Sequence, residues 1–314
     1  MAFTPAHMAA ALPFYRSNNK NHSVRWLQFD ALLIGTMMPD LHYYVRIGSS
    51  FSRQSHEWTG LFTYNLPWGL AVFALWYWGL KPAAFALVRP FLGESVASTL
   101  VRSDLEISDA DKKVRRFTGY ADKRWSFANI KKQVMHKVNS FFVPVVLGLL
   151  VGAATHLIWD GITHADGSIA RHIDWLQYPV YFYPFKGTSI ARVLQYLSSI
   201  AGLGILLWFA VTHLRTQRNS NNLAEHAIKY NATAPLFTKK QSLLIVGSIT
   251  TLSLIWITKA VLRWYPSLGG SPYRFAAKVS VNVLPNIALL CISYAVIYHL
   301  IYLLRHRYLW SRKS

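Results

Sequence analysis

Three residues of metal-ligating type stand four apart where a long apolar stretch of the chain ends: His156, Asp160 and His164, in His156-Leu-Ile-Trp-Asp160-Gly-Ile-Thr-His164. At 100° per residue, positions i, i+4 and i+8 of an α-helix fall within an arc of roughly 80°, so a helix that continues to His164 presents all three from one face. An imidazole and a carboxylate one turn apart can share a metal ion, and this holds for His156 with Asp160 and for Asp160 with His164. His156 and His164 themselves are about 12 Å apart along the axis, too far to share an ion whose bonds are near 2 Å. Either Gly161 breaks the helix and swings His164 round, or the face serves two ions bridged by the two oxygens of Asp160. Ionisable side chains inside a membrane are costly and mark a functional site by default, and three on one face call for a compensating charge.

One helix cannot complete a tetrahedral site, so further ligands must come from elsewhere. The first sixty residues supply the right types: His7 after Thr4-Pro5-Ala6, Asp40 after Pro39, and His56 in Ser55-His56-Glu57. Asp40 and Glu57 are the candidate general bases, although Glu57 follows His56 directly and on a helix points about 100° away from it. Arg46, Arg53 and Arg171 are candidates for orienting a substrate phosphate, because the planar guanidinium fork suits its oxygens. His172, Asp166 and Asp174 read as solvent-exposed loop residues. His22, His42, His136, His213 and His299 have no carboxylate partner at helical spacing. The single cysteine, Cys291, lies inside the last apolar segment, so zinc-finger chemistry is excluded and any metal is held by histidine and carboxylate.

The elements that must position these residues are apolar helices. The chain has 314 residues, 53% of them hydrophobic, with a formal net charge of +20, a combination that reads as a polytopic membrane protein. Windows at 61–80, 142–162, 242–262 and 281–304, and a nearly equal one at 194–214, reach the roughly 20 apolar residues that cross a bilayer core. Pro67 and Gly69 predict a kink in the first. Gly148 and Gly152, followed by Ala153-Ala154, give the second a small-residue face that lets another helix approach closely. The short apolar run ending at Pro39-Asp40 cannot span, so residues 26–38 form a short helix packed against the bundle, re-entering it, or facing solvent. Phe127, Ile130, Val134, Val138 and Phe141 recur at helical spacing between lysines, which suits a basic helix lying on an anionic leaflet.

The fold expected is therefore all-α: about five transmembrane helices, a short N-terminal packed or re-entrant helix and a basic interfacial helix. Residues 1–12 lack a basic leader and a long apolar core, so no secretory signal is expected. Twelve Lys and Arg lie between Lys81 and Lys137, a second basic segment runs from Arg215 to Lys240, and the tail adds Arg305, Arg307, Arg312 and Lys313. With five spans all three fall on one side, which the positive-inside rule assigns to the cytoplasm. Membrane orientation thus accounts for the charge better than nucleic-acid binding, and membrane lipids are the expected partners. A single span and the basic loop separate His56 from the second span, so the N-terminal region and the His164 end of that span share the opposite side.

Thr4-Pro5-Ala6-His7, Gly35-Thr-Met-Met-Pro39-Asp40, Ser55-His56 and His156-x-x-x-Asp160-x-x-x-His164, in that order, resemble the DUF4184 family of bacterial integral-membrane proteins. These look like the YdjM-like membrane-bound metal-dependent hydrolases and, more distantly, the zinc-dependent phospholipase C and P1 nuclease superfamily. The resemblance covers residues 1–215, a metal-site domain with the basic loop 81–141 inserted, and residues 216–314 add two further spans and a basic tail. Carried over, it implies that Asp40, His56, His156 and Asp160 hold one zinc ion, that Asp160 bridges to a second near His7, and that His164 begins another site. The superfamily completes a third site with His-x-x-x-Glu. Here Gln195-Tyr-Leu-Ser-Ser199 stands in that place, with Tyr196 where related sequences carry histidine, so one or two ions, zinc or another divalent metal, are implied rather than three.

The expected function is that of a bacterial inner-membrane, metal-dependent hydrolase that uses metal-activated water on phosphoester bonds of lipids or other amphiphiles. The alternative from another class is a non-enzymatic membrane protein, a transporter or scaffold, in which the His/Asp cluster serves structure or transport. Outside the cluster the apolar spans hold few ionisable groups, Lys259 and His299 being the main ones, which counts against a transport path.

Overall fold

A computed structural model describes residues 4–15, 27–45, 49–91, 141–183, 185–219, 236–269 and 272–311. Among them the chain is helical without strands, apart from one isolated antiparallel bridge between Pro179 and Ser189. Five helices among the described residues are long and apolar enough to cross a membrane: Leu61–Val88, Val143–Thr163, Ile190–His213, Lys239–Ser267 and Phe275–Leu304. Each overlaps one of the expected windows, and the protein is an all-α, multi-pass membrane protein.

The first span is not uniformly α-helical. Leu61–Asn65 and Leu75–Leu80 are wound wider, with α-helix over Leu66–Ala74 and Lys81–Val88. Pro67 lies in the first turn of the Leu66–Ala74 segment. It brings no N–H, and the wide turn ahead of it accommodates the carbonyl that this leaves unbonded, so the disruption expected at Pro67 takes the form of a bulged turn. The span runs past residue 80 because Lys81 is paired: its Nζ lies 3.4 Å from Oδ2 of Asp30, which also accepts from Nε1 of Trp76 at 3.1 Å.

The N-terminal region enters the bundle twice. Thr4–Phe14 is a 3₁₀ helix of 11 residues, roughly 22 Å long at about 2 Å per residue, and it lies along the third span. At its start a Cβ on Gly202 would come within 2.7 Å of the Ala6 carbonyl, and at its end Tyr15 meets Phe209 and His213 edge-on. The chain then returns beside the second span as the Phe29–Gly35 helix. The Gln28 N–H donates to the Pro144 carbonyl at 3.0 Å near the start of that span, and the Thr36 carbonyl reaches His156 thirteen residues beyond Val143. The helix expected over 26–38 is thus packed within the bundle, and it is only the returning half of the N-terminal excursion.

The small-residue face of the second span receives this returning helix. A Cβ on Gly152 would lie 2.3 Å from the Leu32 carbonyl oxygen, and one on Gly35 would lie 2.4 Å from that of Leu149, so backbone meets backbone and no side chain fits between. Ala31, Phe73, Val145 and Leu149 are buried together over this contact. The last two spans pack on each other and on the far half of the first, where the Tyr294 hydroxyl donates to the Ala83 carbonyl at 2.9 Å and His299 Nε2 lies 3.0 Å from that of Gly79. The basic interfacial helix expected over 127–141 lies outside the described residues except for Phe141, whose ring packs against Phe73 and Tyr77.

Candidate metal centre

The second span continues as α-helix through Gly161 to Thr163, and His164 caps it in an extended conformation. Gly161 therefore does not break the helix, contrary to the first of the two expectations. His156 and Asp160 project from this face as i and i+4, and the N-terminal elements bring the rest. His7 comes from the 3₁₀ helix along the third span. Asp40 sits in the short turn Met38–Asp40 that follows the returning helix, and His56 follows the Ser49–Ser55 helix.

Asp160 lies at the middle. Its Oδ1 is 3.3 Å from Nε2 of His7, and its Oδ2 is 3.3 Å from Nε2 of His156 and 3.9 Å from Nε2 of His56. Asp40 faces the same two imidazoles, with Oδ1 3.4 Å from Nε2 of His56 and Oδ2 3.9 Å from Nε2 of His156. Two groups of potential ligand atoms result, His7/His156/Asp160 and Asp40/His56/His156, each with all its atoms within 4.8 Å of one another. His156 is common to both, and its ring stacks on that of His7 with centroids 3.9 Å apart.

Hydrogen bonds outside the cluster fix the imidazoles. Nδ1 of His156 is 2.7 Å from the Thr36 carbonyl and Nδ1 of His56 is 2.9 Å from that of Ser52. A carbonyl oxygen only accepts, so Nδ1 carries a proton in both rings, and Nε2 is the nitrogen turned toward the carboxylates, the orientation found behind metal-bound histidines. Nε2 of His7, Nε2 of His156 and Oδ1 of Asp160 are buried without a hydrogen-bond partner. Unpartnered nitrogens and a carboxylate oxygen facing one another in this way require either shared protons or a cation between them, and the donor set of imidazole and carboxylate suits a divalent ion.

Charge at the ligands outside the spans agrees with that donor set. Burial, with His156 beside it, holds the His7 pKa below the ordinary histidine value, so its ring is neutral and able to ligate. Burial alone would raise the Asp40 carboxyl, but the neighbouring His156 and His56 outweigh it and bring it to about 2, so Asp40 is ionised. The Thr4 hydroxyl donates to Oδ2 of Asp40 at 2.5 Å, and the Ser55 hydroxyl donates to the Pro39 carbonyl at 2.7 Å, holding the turn that carries it.

Of the candidate residues read from the sequence, His7, Asp40, His56, His156 and Asp160 come together. His164 lies beside them, with Nδ1 3.7 Å from Oδ1 of Asp160, but belongs to neither group. Glu57 is exposed and not among the clustered residues, because on the turn after His56 it points away. Arg53 and Arg171 are also exposed, Arg53 one turn before His56, and Arg46 lies outside the described residues. His172, Asp166 and Asp174 are exposed as expected.

Two residues outside the candidate set, His42 and Gln195, also lie at the cluster. His42 is 7% exposed, and its ring centroid lies 6.1 Å from that of His56; Nδ1 is 3.3 Å from the Pro39 carbonyl and Nε2 is buried without a partner. Gln195 is fully buried with Nε2 2.8 Å from Nε2 of His164. A search for carboxylates at helical spacing could not have found His42, whose neighbours come from other elements. The family described as "Domain of unknown function (DUF4184)" matches residues 1–302, past residue 215 and through the last two spans. No curated protein and no solved structure matches the chain.

Proposed function

The chain belongs to the DUF4184 family, and on that footing we propose that it is a membrane-bound metal-dependent hydrolase, with zinc or a similar divalent ion as cofactor and phosphoesters of lipids or other amphiphiles as substrates. The observation that carries this reading is the meeting of five ionisable side chains from four separate elements, with buried unpartnered nitrogen and oxygen atoms turned inward and two of the imidazoles fixed from behind by backbone carbonyls. Asp40, His56, His156 and Oδ2 of Asp160 suit one ion, and Oδ1 of Asp160 with His7 suits a second.

Ions at such a centre supply activation of water at neutral pH and neutralisation of charge on the phosphoester oxygens. The chain's own part is to position and admit. Thr4 orients Asp40, and among the clustered ligands the His56 side chain is the most exposed at 30%, against 4% for His7 and 0% for His156. Substrate therefore approaches on the His56 side, where Arg53 stands one turn away to hold a phosphate. The positive-inside rule puts the basic segments and the C-terminus in the cytoplasm of a bacterial cell and the centre toward the other face of its inner membrane.

Deep burial of His7, Asp40 and His156 favours a second reading, in which a scaffold or transporter uses the cluster for structure. Zinc per chain in detergent-purified wild type, Asp160→Ala and His156→Ala is the first test. One or two equivalents in wild type, lost in both variants, is the expected result; the same sub-stoichiometric zinc in all three removes the metal centre. With metal present, a panel of phosphodiester and phosphomonoester substrates separates the readings, since a chain that holds its metal and hydrolyses none of them fits the structural one.

A further inference from the structure

The fate of His164 is decided by what surrounds its two ring nitrogens. Nδ1 lies 3.1 Å from the backbone carbonyl of Asp160, and Nε2 lies 2.8 Å from Nε2 of Gln195. A carbonyl oxygen has no proton to give, so Nδ1 must donate. In the neutral ring Nε2 is then an acceptor, and the amide N–H of Gln195 satisfies it. If the ring were doubly protonated it would have no lone pair at all. In neither state does His164 keep a nitrogen free for a metal.

We infer that His164 is a positioning residue rather than a ligand, and that Gln195, reaching across from the third span, is the lock that holds it so. The inference takes the proposed metal centre as its setting. Its consequence is that the end of the second span is tied to the third through Asp160 carbonyl, His164 ring and Gln195 amide, which fixes the backbone that carries Asp160. The backbone that carries the fully buried Gln195 is held in its helix, where its main-chain carbonyl accepts from the Ser199 hydroxyl at 2.8 Å, and the side-chain Oε1 is buried without a partner. Such partners behind a metal-binding residue tune affinity by about 10- to 100-fold without changing the number of ions. A carboxylate at 195 would do the opposite, since it can accept from Nε2 but cannot donate to it.

Nitrogen-15 spectra of the full chain in detergent, labelled at histidine and stripped with chelator, test this when recorded before and after zinc. His164 is identified by the signals missing from His164→Asn, and His156 by those missing from His156→Ala. The expected result is a protonated Nδ1 on His164 that does not move on zinc addition, while the His156 signals shift. In Gln195→Met the Nε2 signal of His164 should shift and zinc affinity should fall roughly 10-fold with the same number of ions bound. A zinc-induced shift at His164 equal to that at His156, or loss of a whole zinc equivalent in His164→Asn, overturns the inference. If no histidine responds to zinc, the metal centre fails instead, and the unliganded spectrum still decides this point: an unprotonated Nδ1 on His164 sinks the lock and a protonated one supports it.

Discussion

At the scale of single residues, what separates a proposed ligand from a bystander here is what surrounds the ring. His56 and His156 have Nδ1 on a backbone carbonyl and Nε2 turned to a carboxylate, whereas both nitrogens of His164 are engaged elsewhere. The two carboxyl groups expected as general bases differ in the same way. Asp40 is 3% exposed and faces two imidazoles, while Glu57 is exposed. Asp40→Asn should weaken zinc binding by at least about 100-fold, the upper end for groups that support a metal site, and Glu57→Gln should leave it within about twofold; competition with a chromogenic chelator measures both. Equal losses in the two variants would return Glu57 to the centre. The ladder itself was legible because i, i+4 spacing is a property of one helix. His7, Asp40 and His56 were legible as candidate types, but which of their neighbours they meet is not written in local spacing.

At the scale of elements, the decisive contact is the Phe29–Gly35 helix against the second span. The close approach depends on Gly35 and Gly152, because the carbonyls of Leu149 and Leu32 occupy the space a Cβ would take. The returning helix carries Thr36, whose carbonyl orients His156, and leads directly into Asp40, so this packing sets the geometry of the centre. Gly152→Ala should therefore destabilise by about 3 kcal/mol, at the high end for overpacking, and should also lower zinc content. Gly204→Ala on the third span, where a Cβ meets nothing within 4 Å, should be close to neutral. Thermal melts in detergent compare the two, and a Gly152→Ala protein as stable as Gly204→Ala would mean that the helices are not in this contact. The sequence announced the small-residue face; which segment fills it was not specified, since such a face accepts any close helix.

For the whole molecule, the alternation of five spans sets the centre at the end of the bundle away from the basic segments. The 3₁₀ helix begins beside the centre and ends near His213, and the returning helix begins near Pro144, so Tyr15 and Gln28 both lie toward the end away from the centre. In a Cys291→Ala background, a membrane-impermeant thiol reagent applied to intact cells should label Ser168→Cys and should label Ser220→Cys only after permeabilisation. Labelling of both from outside would overturn the five-span arrangement.

By itself the sequence determined the class of the protein, because the length and apolarity that a bilayer core demands leave little freedom: all five windows became helices able to span. It also determined the chemical character of the site, since a chain with one cysteine, set in an apolar segment, and an i, i+4, i+8 His/Asp/His face has only imidazole and carboxylate to offer an ion. Only the tertiary structure decided which residues complete that face. The N-terminal segment passes down one span and up another, bringing residues more than a hundred positions away in sequence into hydrogen-bonding distance of His156, and burial in that cleft leaves Nε2 of His7 and of His156 without a hydrogen-bond partner. It decided also that His164, at the same i+4 step from Asp160, caps the helix with its ring nitrogens on a carbonyl and an amide instead.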